Sequence, residues 1–269
     1  MATPSANDLR KRWSAARIPP VYFFLLVVLV VSVTLDQIYG DGQMLTPTIL
    51  ANILVRSVAL GIVSMGQTFA IIGASIDLSV AYTISMTAVM ASYWMQDDPA
   101  RVPMAVALVF LMGAGIGLIN GLIITKLKVN AFIATLGTGL VIKGVLNAVF
   151  TNFTGAVPRS FQSFGYDYLG PVPIAALILL AVVGASWFVL SRTTFGAHLY
   201  AVGGSQEASR LSGLRTDRVL IVTHIITSLT AVLTGLFVVS RLRSGAPWVG
   251  TDGLYDLESI AATVIGGTA

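Results

Sequence analysis

Residues 103–125 read PMAVALVFLMGAGIGLINGLIIT, a run of 23 positions without one charged side chain. A membrane-spanning helix needs about 20 mainly apolar residues, so this stretch already places the fold in lipid. Its glycines Gly113, Gly117 and Gly121 recur every fourth residue, with Asn120 alongside. Such a stripe flattens one helix face and lets a second backbone approach, either in the middle of a bundle or at a subunit interface.

Outward from this run the same pattern repeats. Residues 21–35, VYFFLLVVLVVSVTL, follow Arg10, Lys11, Arg12 and Arg17 and run into Asp36-Gln37-Ile38-Tyr39 rather than a small-residue cleavage pattern. They read as an uncleaved anchor, with a signal peptide as the alternative. Further apolar windows lie near 48–73, 78–95, 131–151, 172–191 and 218–240, and another begins near Leu254 and is still apolar at Ala269. The sequence therefore predicts an all-α fold, a polytopic transmembrane helix bundle of about eight helices. Residues 1–19 form a cytoplasmic amino-terminal segment, and 20–269 a single transmembrane domain with a cytoplasmic loop at 192–217.

Composition agrees. Of the 269 residues 55% are hydrophobic and only 10% charged, against about 25% charged in soluble domains. The net charge of +4 would suggest a nucleic-acid partner in a soluble protein, but here the bases sit in short clusters between apolar runs. That is how topology signals are placed. With the amino terminus in the cytoplasm, Lys126, Lys128, Arg192, Arg210, Arg215 and Arg218 fall inside with the amino-terminal bases, and only Arg101, Arg159, Arg241 and Arg243 outside. Absent cysteine excludes disulfides and thiolate chemistry.

The longest polar stretch, Ser191 to Asp217, is too polar to span but has helix signals. Ser205 can cap an amino end, Glu207 suits the first turn, and Gly213 suits the left-handed residue that stops a helix. The short helix between them places Ala208 and Leu211 on one face. That face packs on its own bundle or docks a cytosolic partner.

Polar residues inside apolar windows need partners, water or a route to the interface. Asp77, in GASIDLSVA, is either a helix cap at a cytoplasmic turn or part of a broken helix lining a polar path. Lys143 and Arg56 fall within windows and can snorkel, pair or face a pathway. For Asn52, Gln67, Asn120, Asn147 and His224, interhelical hydrogen bonding is the default. There is no Gly-Lys pair, no HExxH, no GxSxG and no acid cluster. The chain is expected to be no enzyme, and any ATP that drives it must bind another chain.

Four stretches then identify a resemblance: GQTFAIIGASIDLSVAYTISMTAVMA at 66–91, GIGLINGLIITKLKVNAFIATLGTGLVIKG at 115–144, FGAHLYAVGGSQEASRLSGLRTDRV at 195–219 and SRLRSGAPWVGTDGLYDLESIAATVIGGT at 240–268. In this order they resemble the permease subunits of bacterial ABC importers for ribose and related sugars. The resemblance implies a bundle of about ten helices in the full family, and roughly two of them would follow Ala269, so the sequence is either a fragment or a shortened product. It implies a multi-pass protein of the bacterial inner membrane that imports a small sugar by alternating access. The implied partners are a second permease chain, identical or not, a cytosolic ATPase that holds ATP and Mg, a periplasmic sugar-binding protein and the lipid bilayer. No cofactor, metal or catalytic residue is implied for this chain.

By the same resemblance Ser205, Glu207, Ala208, Arg210, Leu211 and Gly213 would form the coupling helix that fits a groove on the ATPase. Asp77, Leu78 and Ser79, with Phe132 and Thr135 from the FIATLG run, would shape the translocation path, and Lys143 is a further candidate. Ser75 and Ala81 replace glycines common beside the Asp-Leu-Ser core, Asn130 and Ala131 stand where prolines are common, and Ser205 replaces a usual asparagine. A related permease for branched-chain amino acids, nucleosides or a furanose signal would share this organisation. An ion-coupled secondary transporter would instead titrate Asp77 or Lys143.

Overall fold

The computed structural model describes residues 20–40 and 42–268. The amino-terminal segment 1–19, with Arg10, Lys11, Arg12 and Arg17, lies outside the described residues. The chain divides into two compact units, one ending at Leu50 and the other running from Ala51. In the first, helix α1 (Pro20–Tyr39) starts at a proline and ends before Gly40, where Asp36 accepts a hydrogen bond from the Met44 amide at 2.8 Å. Helix α2 (Pro47–Ile72) begins here and continues into the second unit.

The second unit holds α3 (Val80–Met95), α4 (Val102–Lys126), α5 (Ala131–Val149), α6 (Arg159–Tyr166), α7 (Ile174–Arg192), α8 (Thr194–Gly204), α9 (Gln206–Leu211), α10 (Thr216–Leu242), α11 (Val249–Asp252) and α12 (Tyr255–Ile265). A two-residue antiparallel ribbon, β1 (Tyr168–Leu169) with β2 (Val172–Pro173), separates α6 from α7.

Six helices among the described residues are long and apolar enough to cross a membrane: α1, α2, α4, α5, α7 and α10. This corrects the expectation of about eight. The window at 78–95 yields α3, 16 residues long because Asp77, Leu78 and Ser79 form a break instead of a first turn. The window near Leu254 yields α12, 11 residues long. Helix α3 is buried on nearly every side, including Thr83, Ser85, Thr87 and Ser92. A helix lined by other helices need not present an apolar surface to lipid.

Helix α10 is the axis of this unit and buries more of its length than any other long helix. It meets α4 along the glycine stripe. A Cβ on Gly117 would stand 2.5 Å from the His224 carbonyl oxygen and 2.6 Å from Ile225 Cα, and one on Gly121 would stand 2.7 Å from Ile221 Cα. Only glycine admits backbones this close. Ala88, Val109, Val232 and Leu236 close the core above that contact, and Phe69, Leu199, Val202 and Leu220 close it near the other end.

The connections segregate to two ends. At one end Lys126, closing α4, meets Asp217, opening α10, at 2.6 Å. At the other, Thr154 and Gly245 form a β-bridge, Asp97 donates to the Ala156 carbonyl at 3.0 Å, and Val157 donates to Arg243 at 3.0 Å. Arg241 and Arg243 thus share an end with residues 150–158, away from Lys126.

Candidate functional site

Helix α2 stops in a tight turn. The Ser75 amide bonds the Ala70 carbonyl and the Ala74 amide the Ile71 carbonyl, both at 2.9 Å, with Ala74 in the left-handed region at φ +53°. This is the bond pattern of a Schellman stop, which glycine usually fills. From there to Ser79 the chain is not helical, yet it is buried, so its backbone and side-chain polar groups need partners within the protein.

Other helices supply them. One Asp77 carboxylate oxygen, Oδ1, accepts from the Ser79 amide at 2.9 Å and from the Ser79 hydroxyl at 2.5 Å. The other, Oδ2, lies 3.0 Å from His224 Nδ1 on α10. His224 Nε2 lies 2.9 Å from the Ser75 hydroxyl, and Asn120 on α4 donates to the Ser79 hydroxyl at 2.9 Å. The Leu78 amide donates to the Thr135 hydroxyl on α5 at 3.0 Å, and that hydroxyl donates to the Ala131 carbonyl. Asp77, Ser79, Asn120, Thr135 and His224 are all fully buried. Five side chains thus run as one hydrogen-bonded chain, Ser75–His224–Asp77–Ser79–Asn120, through the α2–α3 break.

The order serine, histidine, aspartate is that of a hydrolytic relay, but this one is not built to react. Ser75 is 6% exposed, and its amide is already given to Ala70. The arrangement can instead satisfy a carboxylate and a broken helix inside a bundle.

The polar stretch between α7 and α10 is attached to this break. Helix α8 is capped by Thr193, which accepts from the Gly196 amide at 3.2 Å. It packs Leu199 and Val202 on Phe69 and Leu220, and Gly203 lies directly against the Ile72 carbonyl. Helix α9 follows. The Ser205 hydroxyl accepts from the Ala208 amide at 3.2 Å, Glu207 sits in the first turn, and Gly213 follows at φ +87°. Glu207, Ala208, Arg210 and Leu211 are exposed, Leu211 at 81%, while Ser209 faces in.

The remaining candidates separate. Phe132 is half exposed at the start of α5, where its amide bonds the Asn130 side chain. Lys143 is exposed, eight residues beyond Thr135 and about 12 Å further along the helix, so it does not join the Asp77 group. Asn147, one turn beyond Lys143, is exposed on that side too. His224 and Ser75 are the participants that residue-by-residue reading did not assign to Asp77. An intramembrane histidine is a signal, but its partner lies 147 positions away.

Residues 49–269 match the family described as branched-chain amino acid transport system / permease component. The chain belongs to this permease family. The permease is 37% identical over 227 residues to the ribose import permease protein of Escherichia coli strain K12, covering 82% of this chain and 69% of that one. It is 34% identical over 224 residues to the ribose import permease protein of Haemophilus influenzae, covering 81% and 68%. With the galactose/methyl galactoside import permease protein of E. coli K12 it shares 32% over 269 residues, covering 93% and 78%. No solved structure matches it significantly. The permease is accordingly a transport subunit and not an enzyme, and among the described residues no His, Asp and Glu cluster could hold a metal ion.

Proposed function

We propose that this permease is the membrane-spanning subunit of an ATP-driven importer that moves a small sugar of the ribose or galactose kind across the bacterial inner membrane. It would pair with a second permease chain, receive sugar from a periplasmic binding protein and take its driving force from cytosolic ATPases that hold ATP and Mg. The observation that carries this reading is α9. A helix this short is marginal by itself, yet it holds Ala208 and Leu211 out from the bundle between the charges of Glu207 and Arg210. An exposed apolar face rimmed by charge is what a protein partner covers.

Movement of that partner has a short route inward. Helix α9 continues α8, α8 abuts Ile72, and Ile72 opens the break whose Asp77 is held by α10 and whose Leu78 is held by α5. Alternating access would then turn on the α2–α3 break changing partners when α8 shifts. The chain does no covalent chemistry. Lys143 and Asn147, on the side of α5 turned out of the bundle, favour a polar lining there, since a lysine at membrane depth is costly against lipid.

The test is uptake by the permease reconstituted in liposomes with its ATPase and binding protein. The expected result is ATP-dependent uptake of ribose or galactose, and loss of that uptake with continued ATP hydrolysis for Glu207→Arg. Undiminished uptake by the variant overturns the coupling role. The family's description as a branched-chain amino acid permease component favours a second reading, branched-chain amino acids as cargo, which the ligand of the co-purified binding protein decides.

A further inference from the structure

At the Lys126 end, five basic side chains converge. Lys126, Lys128, Arg210, Arg215 and Arg218 line a pocket of about 350 Å³ between the end of α4 and the start of α10, and all five are exposed. One carboxylate stands among them. Asp217 takes Lys126 at 2.6 Å and reaches Lys128 at 3.8 Å, and among the described residues Arg210, Arg215 and Arg218 form no salt bridge. Glu207 borders the adjoining hollow with Lys128 and Arg210. The balance is clearly positive.

A second hollow shares α4 with this pocket. An apolar groove of about 590 Å³ runs between α4 and α5, walled by Ile116, Ile119 and Ile123 on one helix and Gly137, Val141 and Val145 on the other. Ile116, Ile119, Ile123 and Lys126 are spaced three, four and three residues apart, so they form one stripe along α4. The groove therefore ends at Ile123, within one helical turn of Lys126 along α4. From Ile133 to Val145 it follows α5 for about 18 Å, more than half of a hydrocarbon core about 30 Å thick. Gly137 leaves open space where a side chain would stand. This groove lies on the flank of α5 opposite Lys143, which is nine residues, or two and a half turns, beyond the groove residue Ala134.

We infer that pocket and groove together form a binding site for one anionic phospholipid, its phosphate among Lys128, Arg210, Arg215 and Arg218 and an acyl chain between α4 and α5. Neither half alone specifies this occupant. Basic pockets between membrane helices on the cytoplasmic side suit anionic headgroups. A soluble phosphate has no use for the groove, and a purely apolar partner helix has no use for the cations. The lipid would tie α9, through Arg210, to the ends of α4 and α10.

The experiment uses the permease purified in mild detergent and placed in nanodiscs of phosphatidylcholine with increasing cardiolipin or phosphatidylglycerol. The expected result is co-purification of anionic phospholipid with the wild-type chain, and a rise in melting temperature that saturates with anionic lipid. Lys128→Gln and Arg215→Gln should each raise the anionic-lipid fraction for half-maximal protection about fivefold. Gly137→Phe, which fills the groove and leaves every charge in place, should abolish lipid retention. Equal melting in all lipids overturns the proposal, and so does protection by inorganic pyrophosphate without lipid. Val141→Cys, which gives the otherwise cysteine-free chain a single thiol, reports the remaining occupant: a disulfide-linked dimer in native membranes would show that a second copy covers the groove and would equally overturn it.

Discussion

Two short stretches, Gly73-Ala-Ser-Ile-Asp-Leu-Ser79 and Gly203-Gly-Ser-Gln-Glu-Ala-Ser209, resemble each other in composition and differ wholly in circumstance. Each lies at the end of a helix, each contains small polar residues and one acid, and each ends where a new helix begins or runs. The first is buried, and its carboxylate bonds Ser79 and His224. The second is exposed at Gln206, Glu207 and Ala208, and its cap bond is local, from Ser205 to Ala208. A polar segment in an apolar chain is thus either sealed by distant helices or left exposed. The first arrangement makes stability depend on each group, because a buried donor or acceptor left unpaired pays its full desolvation cost. The second makes stability nearly indifferent to the side chains.

The sharpest way to break this comparison is at Asp77. Asp77→Ala leaves His224 and the Ser79 amide without their partner, and each buried polar group left unpaired costs about 1–3 kcal/mol. Thermal unfolding in detergent should show this loss, and a double-mutant cycle of Asp77→Asn with His224→Gln should show strong coupling. Additive effects would mean that the two side chains do not act together.

Next in size is the wall behind the break. Gly117→Ala pushes a methyl group into the α10 backbone at His224 and Ile225, and overpacking of this sort costs about 1–3 kcal/mol. Gly115→Ala, two residues earlier in the same helix and with open space around its Cβ position, should instead stabilise by about 0.5–1 kcal/mol. Equal responses at the two glycines would refute the close contact of α4 and α10.

Smaller again is the turn itself. Ala74 carries a Cβ in the left-handed region, a conformation that costs an L residue about 1–2 kcal/mol. Ala74→Gly should therefore raise the melting temperature slightly, the glycine's greater unfolded-state entropy offsetting part of the gain. At the exposed segment, Glu207→Arg should leave the melting temperature unchanged while abolishing uptake. A destabilised Glu207→Arg chain would show that α9 packs more tightly than its exposure indicates.

Much of this was legible in the residues. Uncharged runs identify the long helices because lipid tolerates nothing else there, and Ser205, Glu207 and Gly213 mark a short helix by local capping chemistry alone. The number of spanning helices was less legible. Periodicity and apolarity do not distinguish a helix exposed to lipid from one such as α3, which is enclosed by protein and shortened by a break at Asp77. The partner of Asp77 was not legible at all. His224 and Asn120 lie on separate helices, and their spacing in the chain carries no trace of their meeting.

By itself the sequence determined that the chain lies in a membrane, where its long helices run, and that Ser191 to Asp217 is too polar to span it. Those are properties of short segments, set by the transfer of side chains and backbone between water and hydrocarbon. Tertiary structure decided which polar groups meet: that Gly117 lets α4 touch α10, that this contact brings Asn120 and His224 to the α2–α3 break, and that Lys126 and Arg215 line one basic pocket. Hydrogen bonds and charge clusters act over a few ångströms in space, and only packing of the helices brings residues far apart in the chain within that range.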